Sequence, residues 1–312
     1  MSVTAHPDNL AAIRYARAYL LRVAEPPAPA LSAFVDAHGP RPAAELVRVQ
    51  NVPDAVRRET SPRHQFDHVD ADFAAAADAE ARLVIPEDDE WPTHLFAALA
   101  RTATRGADWA TPPIALWTQS AKPLRTALDR SVAVVGARAA TSYGHEVAAD
   151  FAFNLAMDEM GVTTGGSFGI DLEAHRGVIF GKGMATAVLS TGIDVLYPVA
   201  NNILRDVRTE GVLLSEYPPG TQPARHRFLA RNRLIAAVTV GTVVVEAGPR
   251  SGALNIARVA GSLGRPVMAV PGPITSAMSV GCHELLRSRI AVPVTSVDDI
   301  QDALNAVGRR TA

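Results

Sequence analysis

The chain has 312 residues, 48% hydrophobic and 20% charged, which excludes a disordered or fibrous protein and gives length enough for two domains. A single cysteine, Cys282, excludes a disulfide framework and leaves too few thiolates for a structural zinc site. The net charge of −2 conceals an asymmetry, −6 over residues 1–95 and +4 over residues 96–312, so a local basic groove for a polyanion stays open.

No basic segment followed by an apolar core opens the chain, and no apolar run reaches about eighteen residues. Neither a secretion signal nor a membrane span is expected, and the protein reads as cytoplasmic. From Asn9 the pattern is helical: Leu10, Ile13, Ala16, Tyr19, Leu20 and Val23 share one face until Pro26-Pro27. Further short helices are expected over Leu31–Val35, from Pro42 to about Val49, and over Asp70–Ala81. Residues 1–80 therefore read as a small, acidic, all-helical domain. Ala81–Pro86 and Pro112–Trp117 read as strands, with the acidic Glu87-Asp88-Asp89-Glu90 as a solvated turn between them.

From Ser131 onward short β-branched runs alternate with amphipathic segments. Strands are expected at Val132–Val135, Val162–Thr164, Ala185–Leu189, Val212–Ser215, Thr242–Val245, Val267–Val270 and Pro293–Thr295. Helices are expected over Tyr143–Met160, Asn201–Glu210, Gly252–Leu263 and about Val297–Val307, the first three closed by glycine. Such alternation predicts an α/β, Rossmann-like, doubly wound, mostly parallel sheet over residues 81–312, with its core at 131–296.

In such sheets ligands bind at the carboxyl ends of the strands, so the segment after each strand maps the site. After the first come Gly136, Arg138, Thr141 and Ser142, an anion cradle of helix N–H groups and a guanidinium; Thr141 or Ser142 as a plain helix cap, with Arg138 solvated, is the alternative. After the second come Gly165-Gly166-Ser167-Phe168-Gly169-Ile170-Asp171, whose glycines let backbone approach a phosphate. No Gly-Lys-Ser/Thr follows, so nucleotide hydrolysis is unsupported. Asp171 and His175 share a helix face, and a structural pairing is favoured over catalysis. The segment Arg225-His226-Arg227-Phe228-Leu229-Ala230-Arg231-Asn232-Arg233 reads as a loop with four arginines, one aromatic and no acid, the chemistry of single-stranded nucleic acid. Ser251 and Gly252 open a further helix whose N-terminus faces the same edge. The histidines share no ligand spacing, and no nucleophile–base pair is visible, so no metal, cofactor or catalytic residue is expected.

In order, these stretches resemble the DNA-processing protein A family (DprA, also called Smf). They are Val134–Arg138, Thr141–Gly144, Gly165–Asp171 with Ala174-His175, Gly192–Asp194 with Tyr197-Pro198, Leu214–Gly220, Phe228–Arg233, Glu246-Ala247 with Ser251–Leu254, and Val270–Gly272. The N-terminal part more loosely resembles the sterile-alpha-motif-like domain of many members. The resemblance implies a single-stranded DNA-binding recombination mediator that protects incoming DNA and loads the RecA recombinase during natural transformation or homologous recombination. It implies no cofactor and a homodimer formed through the Rossmann-like domain. It further implies that Arg138 holds a phosphate, that Arg225 and Phe228 contact the strand, and that Asn232 and Arg233 shape the same pocket. Lys182 matches a basic position that some members use for DNA. The predicted DNA-binding set is thus Arg138, Thr141, Gly166, Ser167, Lys182, Arg225, Phe228, Arg231, Asn232, Arg233, Ser251 and Gly252.

Thr164 and Ser167 replace the usual Ser and Ala, Cys282-His283 replaces a Thr-Asn pair, and Arg289 falls near a usual glycine. The C-terminal winged helix of many members is not expected here. Two other readings share the cradle: a small-nucleotide sensor, and a nucleoside-monophosphate phosphoribohydrolase. The enzyme's Pro-Gly-Gly-x-Gly-Thr run and glutamates are replaced by Gly248-Pro249-Arg250-Ser251-Gly252-Ala253.

Overall fold

The computed structural model describes residues 7–200 and 202–311, so the opening residues read for a secretion signal, and Asn201, lie outside the described residues. Five helices come first: α1 (Pro7–Val23), α2 (Pro29–His38), α3 (Pro40–Arg48), α4 (Asp54–Thr60) and α5 (Val69–Asp78). Then follow β1 (Arg82–Val84), α6 (Thr93–Ala103), β2 (Leu116–Gln119) and α7 (Leu124–Ala127). The alternating part runs β3 (Ser131–Val135), α8 (Ser142–Met157), β4 (Gly161–Thr164), α9 (Ile170–Phe180), β5 (Ala185–Leu189), α10 (Ile203–Glu210) and β6 (Val212–Ser215). It continues α11 (Arg225–Ala237), β7 (Gly241–Val244), α12 (Gly252–Ser262), β8 (Val267–Ala269), α13 (Val280–Arg287), β9 (Val292–Pro293) and α14 (Val297–Thr311).

The strands form one sheet in the order β1-β2-β6-β5-β4-β3-β7-β8-β9. Strands β3 to β9 pair in parallel, and β1 and β2 add antiparallel strands beside β6. The Rossmann-like, mostly parallel α/β sheet is therefore present. Because side chains alternate across a strand, Val132 and Val134 enter one core with α1–α5, α8, α9, α10 and α14. Ala133 and Val135 enter the other, with α6, α7, α11, α12 and α13. Both faces are covered, which explains the near-continuous apolar runs.

Most predicted strands agree with the structure to within a residue at either end. The last one moves and shortens to Val292–Pro293, because Thr295 and Ser296 already turn into α14, donating N–H bonds to Asp299 at 2.7 and 3.2 Å. Helices α4, α6 and α13 are not among the expected elements; α4 buries only Val56 and Thr60, too little to show a period.

The acidic run is a turn with Glu87 and Asp89 exposed, but three of its four carboxylates are paired. Glu87 takes a bidentate bond from Arg17 at 2.7 and 2.8 Å, Asp88 pairs with Arg14, and Glu90 holds Arg82 at 2.7 and 2.9 Å. These pairs tie α1 to the β1 edge, and the rings of Tyr15, Phe73 and Trp117 continue the join at 6.4 and 5.5 Å. The N-terminal helices thus share a core with the sheet.

Candidate nucleic-acid interface

The crossovers from β3 through β4 and β5 to β6 proceed in one direction, and then the chain jumps back so that β7 lies on the other side of β3. The order in which strands are added reverses between the parallel neighbours β3 and β7, and the helices leaving these strands diverge and open a crevice at the carboxyl edge. That crevice holds about 510 Å³, lined by residues 136–139 after β3, Ser167 and Asp171 after β4, residues 248–253 after β7, and Phe228, Leu229, Arg231 and Asn232 of α11.

Close stitching of the loops sets its floor. Ala137 N–H donates to the Glu246 carbonyl at 2.7 Å, and Ile170 N–H to the Ala137 carbonyl at 3.2 Å. Gly169 has φ +74°, and a Cβ there would overlap the Ala137 carbonyl, so only glycine fits the approach. One oxygen of Asp171 accepts from Gly165 N–H and Ser167 N–H at 3.2 Å and from the Ser167 hydroxyl at 2.9 Å, which shapes the post-β4 loop. His175 is fully buried beside the Thr164 hydroxyl and the Thr186 carbonyl, and burial pushes its pKa down. This pair is structural, as the sequence reading favours.

The basic segment is a helix, not a loop. Helix α11 begins at Arg225 without a side-chain cap and with two arginines and a histidine in its first turn, at the positive end of its own dipole. Helix starts normally show a hydroxyl or carboxylate cap and acidic residues, so the usual signals are inverted here. The missing anion comes from another part of the fold. Glu25, just after α1, accepts from Arg227 at 2.6 Å, His226 at 3.1 Å and Arg63 at 2.8 Å. Burial alone would raise the Glu25 carboxyl, but the hydrogen bonds of Arg227, Arg63 and His226 prevail and hold it at about 2.

The four arginines of this segment have different fates. Arg225 is exposed at the helix start. Arg227 is spent on Glu25 and also lies 5.4 Å from the Tyr217 ring. Arg231 is 6% exposed and donates to the Val188 carbonyl; a Cβ at Gly165 would overlap its guanidinium. Burial pulls Arg231 down to about 10, against the support of Asp171, so it remains a cation at neutral pH under the crevice. Arg233 makes a buried bidentate pair with Glu216 at 2.6 and 2.7 Å and donates to the Thr111 carbonyl at 3.1 Å. Arg233 therefore bolts α11 to the core and holds the pocket wall in place, with its guanidinium already committed to Glu216.

Two further expectations change. Thr141 caps α8, accepting from Gly144 N–H at 3.2 Å and donating to Glu246 at 2.7 Å; its hydroxyl is committed and it does not line the crevice. Lys182 follows α9, which runs back from the carboxyl edge to the amino end of β5, so it stands at the opposite edge of the sheet. Gly166 lies just below the surface, with φ +69°. Ser167, Ser251 and Gly252 line the crevice, Ser251 capping α12 through Ala253 N–H at 3.3 Å. Asn232 is held by Asn255 at 3.0 Å.

The structure brings Arg138 and Phe228 together, with the guanidinium 5.3 Å from the ring centroid. Arg138 is exposed and, among the described residues, no carboxylate pairs with it. Arg250 also lines the crevice and is exposed; it is absent from the predicted set, although its place beside the Ser251 cap was the available signal. Helix N-termini, guanidiniums and an aromatic face converge at one switch point of a Rossmann-like fold, a chemistry that suits a polyanion. Among the described residues no cluster of three His, Cys, Asp or Glu is placed for a metal ion, and no helix is long and apolar enough to cross a membrane.

The family model for DNA recombination-mediator protein A matches residues 82–305, so the chain belongs to that family. It is 46% identical to a DNA processing protein DprA of Mycobacterium tuberculosis over 292 residues, 93% of this chain and 75% of the relative. The X-ray structure of DNA processing protein A from Streptococcus pneumoniae superposes with a TM-score of 0.66 at 32% identity, covering 87% of this chain and 86% of that one. DNA processing protein A from Helicobacter pylori, described for its single-stranded DNA binding mode, superposes at 0.56 with 26% identity over 64% of this chain and 89% of its own.

Proposed function

We propose that the protein is a non-enzymatic recombination mediator that binds single-stranded DNA across the β3/β7 crevice. The observation that carries this reading is the pairing of the unneutralised Arg138 guanidinium with the Phe228 ring at the crevice mouth. A phosphate takes the guanidinium and an unpaired base takes the ring face, which duplex DNA cannot offer. Arg250 in the lining adds a second exposed cation, and the exposed Arg225 opens α11 about one turn before Phe228, while the α12 N-terminus with Ser251 and Gly252, and the buried Arg231, bias the floor toward anions. Family membership supports the further steps: a cytoplasmic homodimer, joined through the Rossmann-like domain, shields the strand and passes it to RecA in natural transformation or homologous recombination.

Fluorescence anisotropy with labelled oligo-dT and its duplex counterpart at two salt concentrations tests the first step. The single strand is expected to bind preferentially, with affinity falling steeply as salt rises. Equal binding to the duplex, or none to either at low salt, overturns the reading. Faster RecA filament formation on coated single strands tests the handover.

A further inference from the structure

Tyr197 is absent from the predicted DNA-binding set and lies outside the crevice lining, yet its ring is the next one along. It stands in the segment between β5 and α10, where a rigid turn is assembled. The Thr191 hydroxyl donates to the Val195 carbonyl at 2.6 Å, Gly192 N–H to the Thr221 carbonyl at 2.9 Å, and Gly220 N–H to Asp194 at 2.8 Å. Leu196 faces inward against the core while Tyr197 is left 38% exposed. The Tyr197 and Phe228 centroids are 5.9 Å apart with their planes tilted by 55°. Arg138 lies 5.3 Å from the same Phe228 ring.

We propose that Tyr197 is a base-stacking residue, the second ring of a platform that Arg138 and Phe228 begin. It would take an unpaired base of the strand where that strand leaves the crevice. The inference rests on the single-strand reading above. A tilted pair leaves ring faces open to a third flat partner, whereas a parallel stack would cover one face of each ring. Cation and rings lie at one sheet edge on segments pinned by backbone hydrogen bonds, so little ordering remains to oppose binding. Stacking on an aromatic face tolerates any base, which suits a protein that must accept strands of any sequence.

Because the contact is uncharged, its signature differs from that of a phosphate contact. In the full-length protein, Tyr197→Ala is expected to weaken oligo-dT binding by roughly 5- to 100-fold while leaving the slope of log affinity against log salt unchanged. Tyr197→Phe and Tyr197→Trp should restore binding. Tyr197→Leu keeps apolar bulk without a π face and should behave like the alanine variant; it also guards against an alanine variant that fails to fold. Wild-type affinity in Tyr197→Leu overturns the inference, as does a loss in Tyr197→Phe, which would assign the role to the hydroxyl. A shallower salt slope in Tyr197→Leu overturns it in favour of a phosphate contact. If wild type itself ignores oligo-dT, the single-strand reading and this inference fall together, whereas a normal wild type with an unaffected Tyr197→Leu removes only the inference.

Discussion

The arginines of helix α11 divide into those answered inside the protein and the one that is not. Arg227 and Arg233 meet carboxylates, Glu25 and Glu216, which follow α1 and β6, and the buried Arg231 donates to the Val188 carbonyl. Arg225 is exposed at the helix start, and Phe228 faces Arg138 across the crevice mouth. Charge that is already paired inside the protein steadies the helix, and charge left unpaired beside an aromatic ring is available to a ligand. A basic run therefore says little about binding until its internal anions are known. Through Glu25 the N-terminal helices supply the counterion that lets a helix begin on two arginines and a histidine.

The largest expected effect comes from removing a cation from a buried pair. Arg233→Ala strands Glu216 in the core, where both side chains of the pair are nearly inaccessible. The expected loss is about 3–5 kcal/mol in chemical denaturation, enough to unfold a marginal domain. A variant of near-wild-type stability would place Arg233 back among the surface residues.

Removing the ring at the crevice mouth has a smaller and different effect. Phe228→Ala is expected to cost about 1–3 kcal/mol in single-strand affinity, with the salt slope retained. An anisotropy titration that matched wild type would show that the ring packs and does not stack.

The gentlest probe is pH. The Glu25 carboxyl lies at about 2 in the folded protein against an ordinary 4.5, so its ionised form favours the fold. That contribution is present above pH 4.5 and is lost as pH falls through about 2. In Glu25→Gln the acid limb of the stability curve should be flatter over this window, and an unchanged limb would remove Glu25 from the account.

Much of this was legible in the sequence. The strands from Val132 to Val270 declare themselves because they are β-branched and covered on both faces, and the crevice follows from their order. Arg138 and Phe228 were legible by residue type and by family resemblance. What stayed hidden depends on long-range pairing. Helix α11 was unreadable because its anion, Glu25, lies about 200 residues earlier in the chain. The internal partners of Thr141 and Arg233, Glu246 and Glu216, are brought to them only by the fold. Lys182 was misplaced because a motif position does not reveal which sheet edge it occupies. The acidic run at Glu87–Glu90 looked solvated because its arginines sit on α1 and β1.

The most direct test of the central claim sets Arg138→Ala against Arg227→Ala in the same oligo-dT titration across a range of salt concentrations. Arg138→Ala is expected to lower affinity about tenfold and to reduce the salt slope by roughly one unit or less. Arg227→Ala should leave the slope within error of wild type, because its charge is already answered by Glu25. The reverse pattern, with Arg227 setting the slope and Arg138 silent, would contradict the account.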